Sequence, residues 1–242
     1  MRCDALVHRH PHHWVDEAPF LLWEIGSQTV LDHWVDFLYE SNSRIVLWLE
    51  EVDSRILTFV NETFPLSRNT TIRIGLPTAA AECCTFLDAS GDILIRRGEE
   101  LRNYLPPNEP ASRVWFEMVK KWLGRLQENG TNAPEIEEEI RPGVFVGHHC
   151  HISHDSELVG PCWIGSYSTI TGAKIGPHAV VGENCLISPG CRITNSYVLK
   201  HTFLGEHLML DGLVAGRTGI LHHHSGVLTT VPDRTIVQPL KS

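Results

Sequence analysis

Histidine is the residue of this chain with the widest chemical options, and fifteen occur among its 242 residues. His178, His201 and His207 each stand off the aliphatic positions of the stretch that holds them, so each ring can face solvent. A neutral imidazole placed in that way can take a proton from an attacking hydroxyl or amine. No carboxylate nearby in sequence is marked out to orient any of the three, and a solvated corner is the plainer account. The run GHHCHISH, residues 147 to 154, raises metal binding instead. In extended backbone His149 and His151 share a face and His148 points away, which gives two ligands and leaves a third to come from elsewhere. His222 to His224 pose the same question, and there a solvated strand end is the preferred reading. Asp92 follows Ser90 and Gly91. Read from its residues alone it is the corner of a hairpin, Ser-Gly-Asp being a common β-turn.

The elements that would position these groups are announced by a beat. From Val146 to Leu210 an aliphatic residue recurs about every six positions, at Val146, Ile152, Leu158, Ile164, Ile170, Ile175, Val181, Ile187, Ile193, Val198, Leu204 and Leu210. No helix or single strand has that period. Glycine follows several of these starters directly, and Cys, Ser, Ala or Thr often stands four places on. Each rung then reads as a short strand, a tight corner and a small residue that lets the corner fold inward. One rung cannot bury its aliphatic side alone, so three make a coil and the coils stack. The expectation is a parallel β-helix of about four coils. A β-sandwich would need polar turns at wider spacing.

Cys150, Cys162, Cys185 and Cys191 occupy the small slot of the rung and read as packing residues. Neither they nor Cys83 and Cys84 form a CxxC zinc pattern. The formal charge of -9 argues against wrapping nucleic acid, although the histidines would cancel much of it near pH 6. No apolar run approaches the ~20 residues of a membrane span. The opening MRCDALVHRH lacks an apolar signal core, so a cytoplasmic location and no disulfide framework are expected.

The front half alternates helical and strand patterns, the signature of an α/β layer. Residues 29 to 42 and 51 to 64 space their apolar residues as helices do, and RIVLWL at 44 to 49 is a buried strand. Strands follow at 71 to 74, 85 to 87 and 93 to 95. Residues 112 to 127 form an amphipathic helix suited to docking, and 129 to 139 read as a turn-rich, acidic linker. Trp23, Trp34, Trp48, Trp115 and Trp122 fall in core stripes. Trp163 precedes a starter, so its ring covers an outer side of the coil, either under the docking helix or against another subunit.

Two stretches carry a family resemblance. APFLLWEIGSQTVLDHWVDFLYESNSRIVLWL, residues 18 to 49, resembles the turn, helix and strand of nucleotide-sugar pyrophosphorylases, and TFLDASGDILI, residues 85 to 95, is similar to their strand ending in Gly-Asp. The tail at residues 195 to 228 resembles the carboxy-terminal module of the same bacterial sugar nucleotidyltransferases. The resemblance implies a truncated nucleotidyltransferase-like α/β domain at 1–107, a docking helix and linker at 108–139, and a left-handed β-helix of hexapeptide repeats at 140–236.

The chemistry it implies is attack of a sugar 1-phosphate oxygen on the α-phosphorus of a nucleoside triphosphate, with pyrophosphate leaving. Both reactants are anions, and Mg²⁺ would be held by Asp92. The other parts of the family's site are missing here. HRHPHHWVDEAPF stands where a glycine-rich loop is expected, and Pro19-Phe20 replaces proline-lysine. A chain with weak or no catalysis follows, binding a nucleotide or sugar phosphate or serving as a regulatory or scaffolding subunit. Its partners would be further copies in a dimer or trimer, or a full-length nucleotidyltransferase. Two other classes compete. Hexapeptide-repeat acyltransferases bind acyl-CoA in a groove between subunits, with a base that His178, His201 or His207 would supply. Hexapeptide-repeat hydratases that resemble carbonic anhydrases hold zinc with three histidines, but their Asn-x-Gln-Asp pattern is absent.

Overall fold

A computed structural model describes residues 5–8, 19–33, 45–49, 54–63, 70–74, 83–87, 93–97, 110–129, 138–216 and 219–240. The chain divides into two units, Met1–Trp115 and Phe116–Ser242, a small α/β unit and one built on a parallel β-solenoid.

In the first unit the strands are β1 (Ala5–His8), β4 (Ile45–Leu49), β5 (Thr70–Ile74), β6 (Cys83–Leu87) and β7 (Ile93–Arg97), in the sheet order β5-β4-β1-β6-β7. The first four are mutually parallel and β7 is antiparallel to β6. The unbroken apolar run IVLWL of β4 lies inside this sheet, where parallel neighbours on either side favour such a sequence. Helix α1 (Ser54–Thr63) connects β4 to β5. β1, with only four residues, is too short to show a period, and the sequence reading passes over it. A small hairpin of β2 (Glu24–Ile25) and β3 (Gln28–Thr29) turns at Gly26, whose φ of +65° suits a residue without Cβ.

Helical backbone begins at Val30, and its start is fixed by a reciprocal cap. The backbone N–H and hydroxyl of Thr29 both donate to Asp32 Oδ2 at 2.7 Å, while the Asp32 N–H donates to Thr29 Oγ1 at 3.1 Å. Phe20, Leu21, Trp23, Ile25, Val30 and Leu31 are buried around it. Trp115 closes this cluster, edge-on to Trp23 at 6.2 Å and donating its indole N–H to Glu24 O at 2.9 Å.

The second unit is the expected solenoid, with three parallel faces. The first face carries β9 (Val144–Val146), β12 (Cys162–Ile164), β15 (Ala179–Val181), β18 (Ser196–Val198) and β21 (Leu213–Gly216). The second carries β10 (His151–Ile152), β13 (Thr169–Ile170), β16 (Leu186–Ile187) and β19 (Thr202–Leu204), and the third β11 (Glu157–Leu158), β14 (Lys174–Ile175), β17 (Arg192–Thr194) and β20 (Met209–Asp211). Every starter except Ile152 is part of the buried core, and Ile152 packs against it. Because strands on a face pair in register, Ile164 sits on Val146 and Val181 on Ile164, so the aliphatic side chains form continuous columns.

The small slots behave as expected. Cys162, Cys185 and Cys191 are buried, and the thiols of Cys185 and Cys191 donate to Leu199 O at 3.1 Å and Gly205 O at 2.9 Å in the following coil. Burial pushes the Cys162 and Cys185 thiols up to about 12, which makes them poor nucleophiles.

Past Leu210 the winding gives way to antiparallel pairing. β21 pairs with β22 (Gly219–His222), which pairs with β23 (Val227–Thr230). β24 (Val237–Pro239) then returns antiparallel along β19, and Val231, Ile236 and Val237 close that end of the core. At the other end β8 (Glu138–Arg141), out of the acidic segment, pairs antiparallel with β9.

The outward residues distinguish the faces. On the third, Glu157, Lys174, Arg192 and Met209 are exposed. On the first, Phe145, Trp163, Val180, Tyr197 and Val214 form a register ladder and all are buried. Helix α2 (Ala111–Asn129) supplies cover from Phe116 onward. The Phe116 ring lies against His223, Trp122 meets Trp163 edge-on at 5.6 Å, and Gln127 comes near Gly143. From Phe116 to Gln127 the helix rises ~16 Å, which is three to four strand spacings of ~4.8 Å. The helix therefore runs along the stack and crosses its strands. Trp163 is thus a docking residue for α2.

No helix among the described residues is long and apolar enough to cross a membrane.

Candidate functional site

Among the described residues the non-glycine residues with positive φ are His149, Tyr167, His178, Asn184, Asn195, His201 and His207, and all lie at solenoid corners. All but Asn195 stand three places after a starter, with φ between +51° and +62°. At these rungs the corner takes a left-handed residue three places after the starter. Asn and His enter that region more readily than bulky or β-branched residues. This conformational demand explains the three histidines singled out as bases without invoking catalysis.

The structure does not bring those three together. His178 belongs to the column that continues through Asn195, between the third and first faces. His201 lies between the first and second faces, its carbonyl accepting from the Leu240 N–H at 2.8 Å. His207 lies between the second and third and is exposed. His178 is half-buried, and burial, followed by the nearby Lys120 charge, lowers its pKa.

The pairing expected within GHHCHISH fails for a local reason. His149 has a φ of +56°, so the backbone from His149 to His151 turns a corner and the alternation of an extended strand does not apply. The His149 ring stacks on Tyr167, one coil on, at 5.2 Å. Among the described residues no three His, Cys, Asp or Glu side chains come together as a metal site. The tail departs from its expectation as well. His222 and His224 are exposed, but His223 is only 4% exposed. Its ring stacks on Phe116 at 4.0 Å and 15°, and Nε2–H donates to Asn195 O at 3.2 Å. Burial holds its pKa down at about 4. Alternation from the buried Leu221 was the signal that could have found it.

The α/β unit offers a site by topology. From β1 the chain passes to β4 and on to β5 on one side, then returns to place β6 on the other. The connections leaving β1 and β5 therefore diverge at the β1/β6 boundary. In open α/β sheets ligands bind in the crevice outside the carboxyl ends of strands at such a switch point. Those ends are His8 and Leu87. Asp92 is separated from Leu87 by four residues in sequence and lies outside the described residues.

No family model matches the chain. It is similar to the UTP–glucose-1-phosphate uridylyltransferase of Synechocystis sp., with 38% identity over 106 residues, 43% of this chain and 26% of that protein. The chain spans about a quarter of the length of that relative. The resemblance to sugar nucleotidyltransferases read from the sequence thus has a curated counterpart.

Proposed function

We propose that this chain is a reduced sugar nucleotidyltransferase, which holds a nucleotide or sugar phosphate at the carboxyl ends of β1 and β6 and turns it over slowly or not at all. The observation that carries the reading is the sheet order, which puts a switch point where a ligand crevice belongs. The 38% identity to a uridylyltransferase over 106 residues supports the substrate class. The reduction rests on HRHPHHWVDEAPF, which provides no glycine-rich cradle for a phosphate. When bound, Mg²⁺ would neutralise charge on the phosphates. Asp92 is the residue proposed to hold it. Self-association, or association with a full-length nucleotidyltransferase, belongs to the same proposal.

The purified chain, incubated with several nucleoside triphosphates, sugar 1-phosphates and Mg²⁺, is expected to release pyrophosphate barely above background. Rapid release with any pair would overturn the reduced-site reading. Thermal shift separates the classes: nucleoside triphosphate is expected to raise the melting temperature and acetyl-CoA to leave it unchanged. The reverse would favour acyl transfer at the solenoid.

A further inference from the structure

The seam between α2 and the solenoid brings His178 and His223 within reach of the Lys120 and Glu117 charges of α2. The His223 ring lies over Gly212, where a Cβ would come 3.7 Å from Nε2, and the His223 N–H donates to Gly212 O at 3.2 Å. Its ring stacks on Phe116, and the His224 ring is 4.8 Å away. His178 belongs to the same corner column, and the Lys120 and Glu117 charges of α2 act on both His178 and His223. Those two α2 side chains pair with each other at 2.6 Å. Asp211 accepts from Asn195 Nδ2 at 3.2 Å. With every imidazole neutral, the Lys120 charge that acts on both rings is balanced by Glu117, its ion-pair partner.

We propose that His223 and His178 form a proton-operated latch, which keeps the α2 segment from Phe116 to Trp122 on the solenoid when neutral and releases it in acid. Protonation puts positive charge on rings wedged beside Lys120 and His224, with Glu117 already engaged. A charged ring is also poorly solvated when buried against Phe116. Release lets water reach both rings and uncovers the apolar ladder at Val180, Tyr197 and Val214.

The sign and size follow from linkage. His223 titrates at 6.5 when unperturbed and at about 4 in the seam. The docked state is therefore fully favoured above pH 6.5 and weakens as pH falls towards 4. At pH 5 the balance moves towards release about 30-fold relative to pH 8. The carboxyl groups of Asp155 and Asp233 are held below the usual range by hydrogen bonds from Ser153 and Thr235, so their protonation comes later on acidification.

Amide hydrogen exchange on the full chain, corrected for the intrinsic pH dependence, tests this. Amides between residues 116 and 126 are expected to lose protection about 30-fold from pH 8 to pH 5, while β12 and β15 keep theirs. The variant His223→Phe with His178→Asn, which retains the ring stack and a residue tolerant of positive φ, is expected to stay protected at pH 5. Loss of protection in that variant equal to wild type would overturn the latch. So would a helix still protected in wild type at pH 5, or simultaneous loss in β12 and β15. Should the variant not fold, imidazole proton NMR on the wild type decides. Depressed titration of His178 and His223 supports the latch, and titration of both at 6.5 ends it.

Discussion

Replacing Gly176 by alanine is expected to destabilise the solenoid by about 4 kcal/mol, combining a left-handed backbone penalty of ~1–2 kcal/mol with an overpacking cost of ~1–3 kcal/mol. Gly176 has a φ of +97°, and a Cβ there would run into the backbone carbonyl of Val159 in the preceding coil. The obstruction is backbone within a hydrogen-bonded ladder, since the Gly176 N–H donates to Ile193 O and the Val159 N–H to Ile175 O, both at 2.8 Å. Neither strand can yield without breaking ladder bonds on both sides. Thermal unfolding should move down by roughly 10 °C. Gly124 in α2 supplies the opposite sign, because a Cβ there meets nothing within 4 Å. Gly124→Ala is expected to add about 0.5–1 kcal/mol through helix propensity. Equal effects of the two substitutions would mean that the coil corner is looser than its geometry implies.

What the sequence disclosed depended on how many residues shared a signal. The solenoid was legible because twelve starters repeat one physical demand, and each starter lies in or against the core. In the front half, β4 and α1 were legible from single runs of apolar residues long enough to show a pattern. β1 was not, because ALVH offers four residues and no period, although it is the strand between the two halves of the sheet. The antiparallel return of β22 to β24 escaped because the six-residue beat stops at Leu210 and nothing replaces it.

The histidines show a different failure. His178, His201 and His207 were weighed as bases because side-chain chemistry was considered and backbone conformation was not. Their spacing of three after Ile175, Val198 and Leu204, shared with Tyr167 and Asn184, marks a conformational slot. His223 was read with its neighbours as a solvated run, whereas the alternation of β22 carries one residue past the strand's end and leaves His223 buried like Leu221. The proposed nucleotide crevice stays tied to topology, since its side chains come from loops, which the periods of strands and helices do not encode.

Trp163→Ala is expected to cost about 3–5 kcal/mol, the range for deleting a buried aromatic ring. Trp163 is fully buried on the outward side of β12, its ring edge-on to Trp122 of α2, so the loss falls on helix docking. The aliphatic columns inside the prism keep their contacts. Amide exchange should therefore rise in α2 well before it rises in β12 to β18. A double-mutant cycle with Trp122→Ala should return a coupling of about 0.5–1.5 kcal/mol, the usual worth of an edge-to-face pair. Trp163→Phe sharpens the argument. The indole Nε1 is buried with no hydrogen-bond partner among the described residues. Removing that N–H relieves a desolvation penalty of ~1–3 kcal/mol, which offsets part of the lost ring volume. The phenylalanine variant should thus lie much closer to wild type than to alanine in urea unfolding. If phenylalanine proves as costly as alanine, the indole N–H has a partner that holds it, and the helix is anchored by polarity as well as by packing.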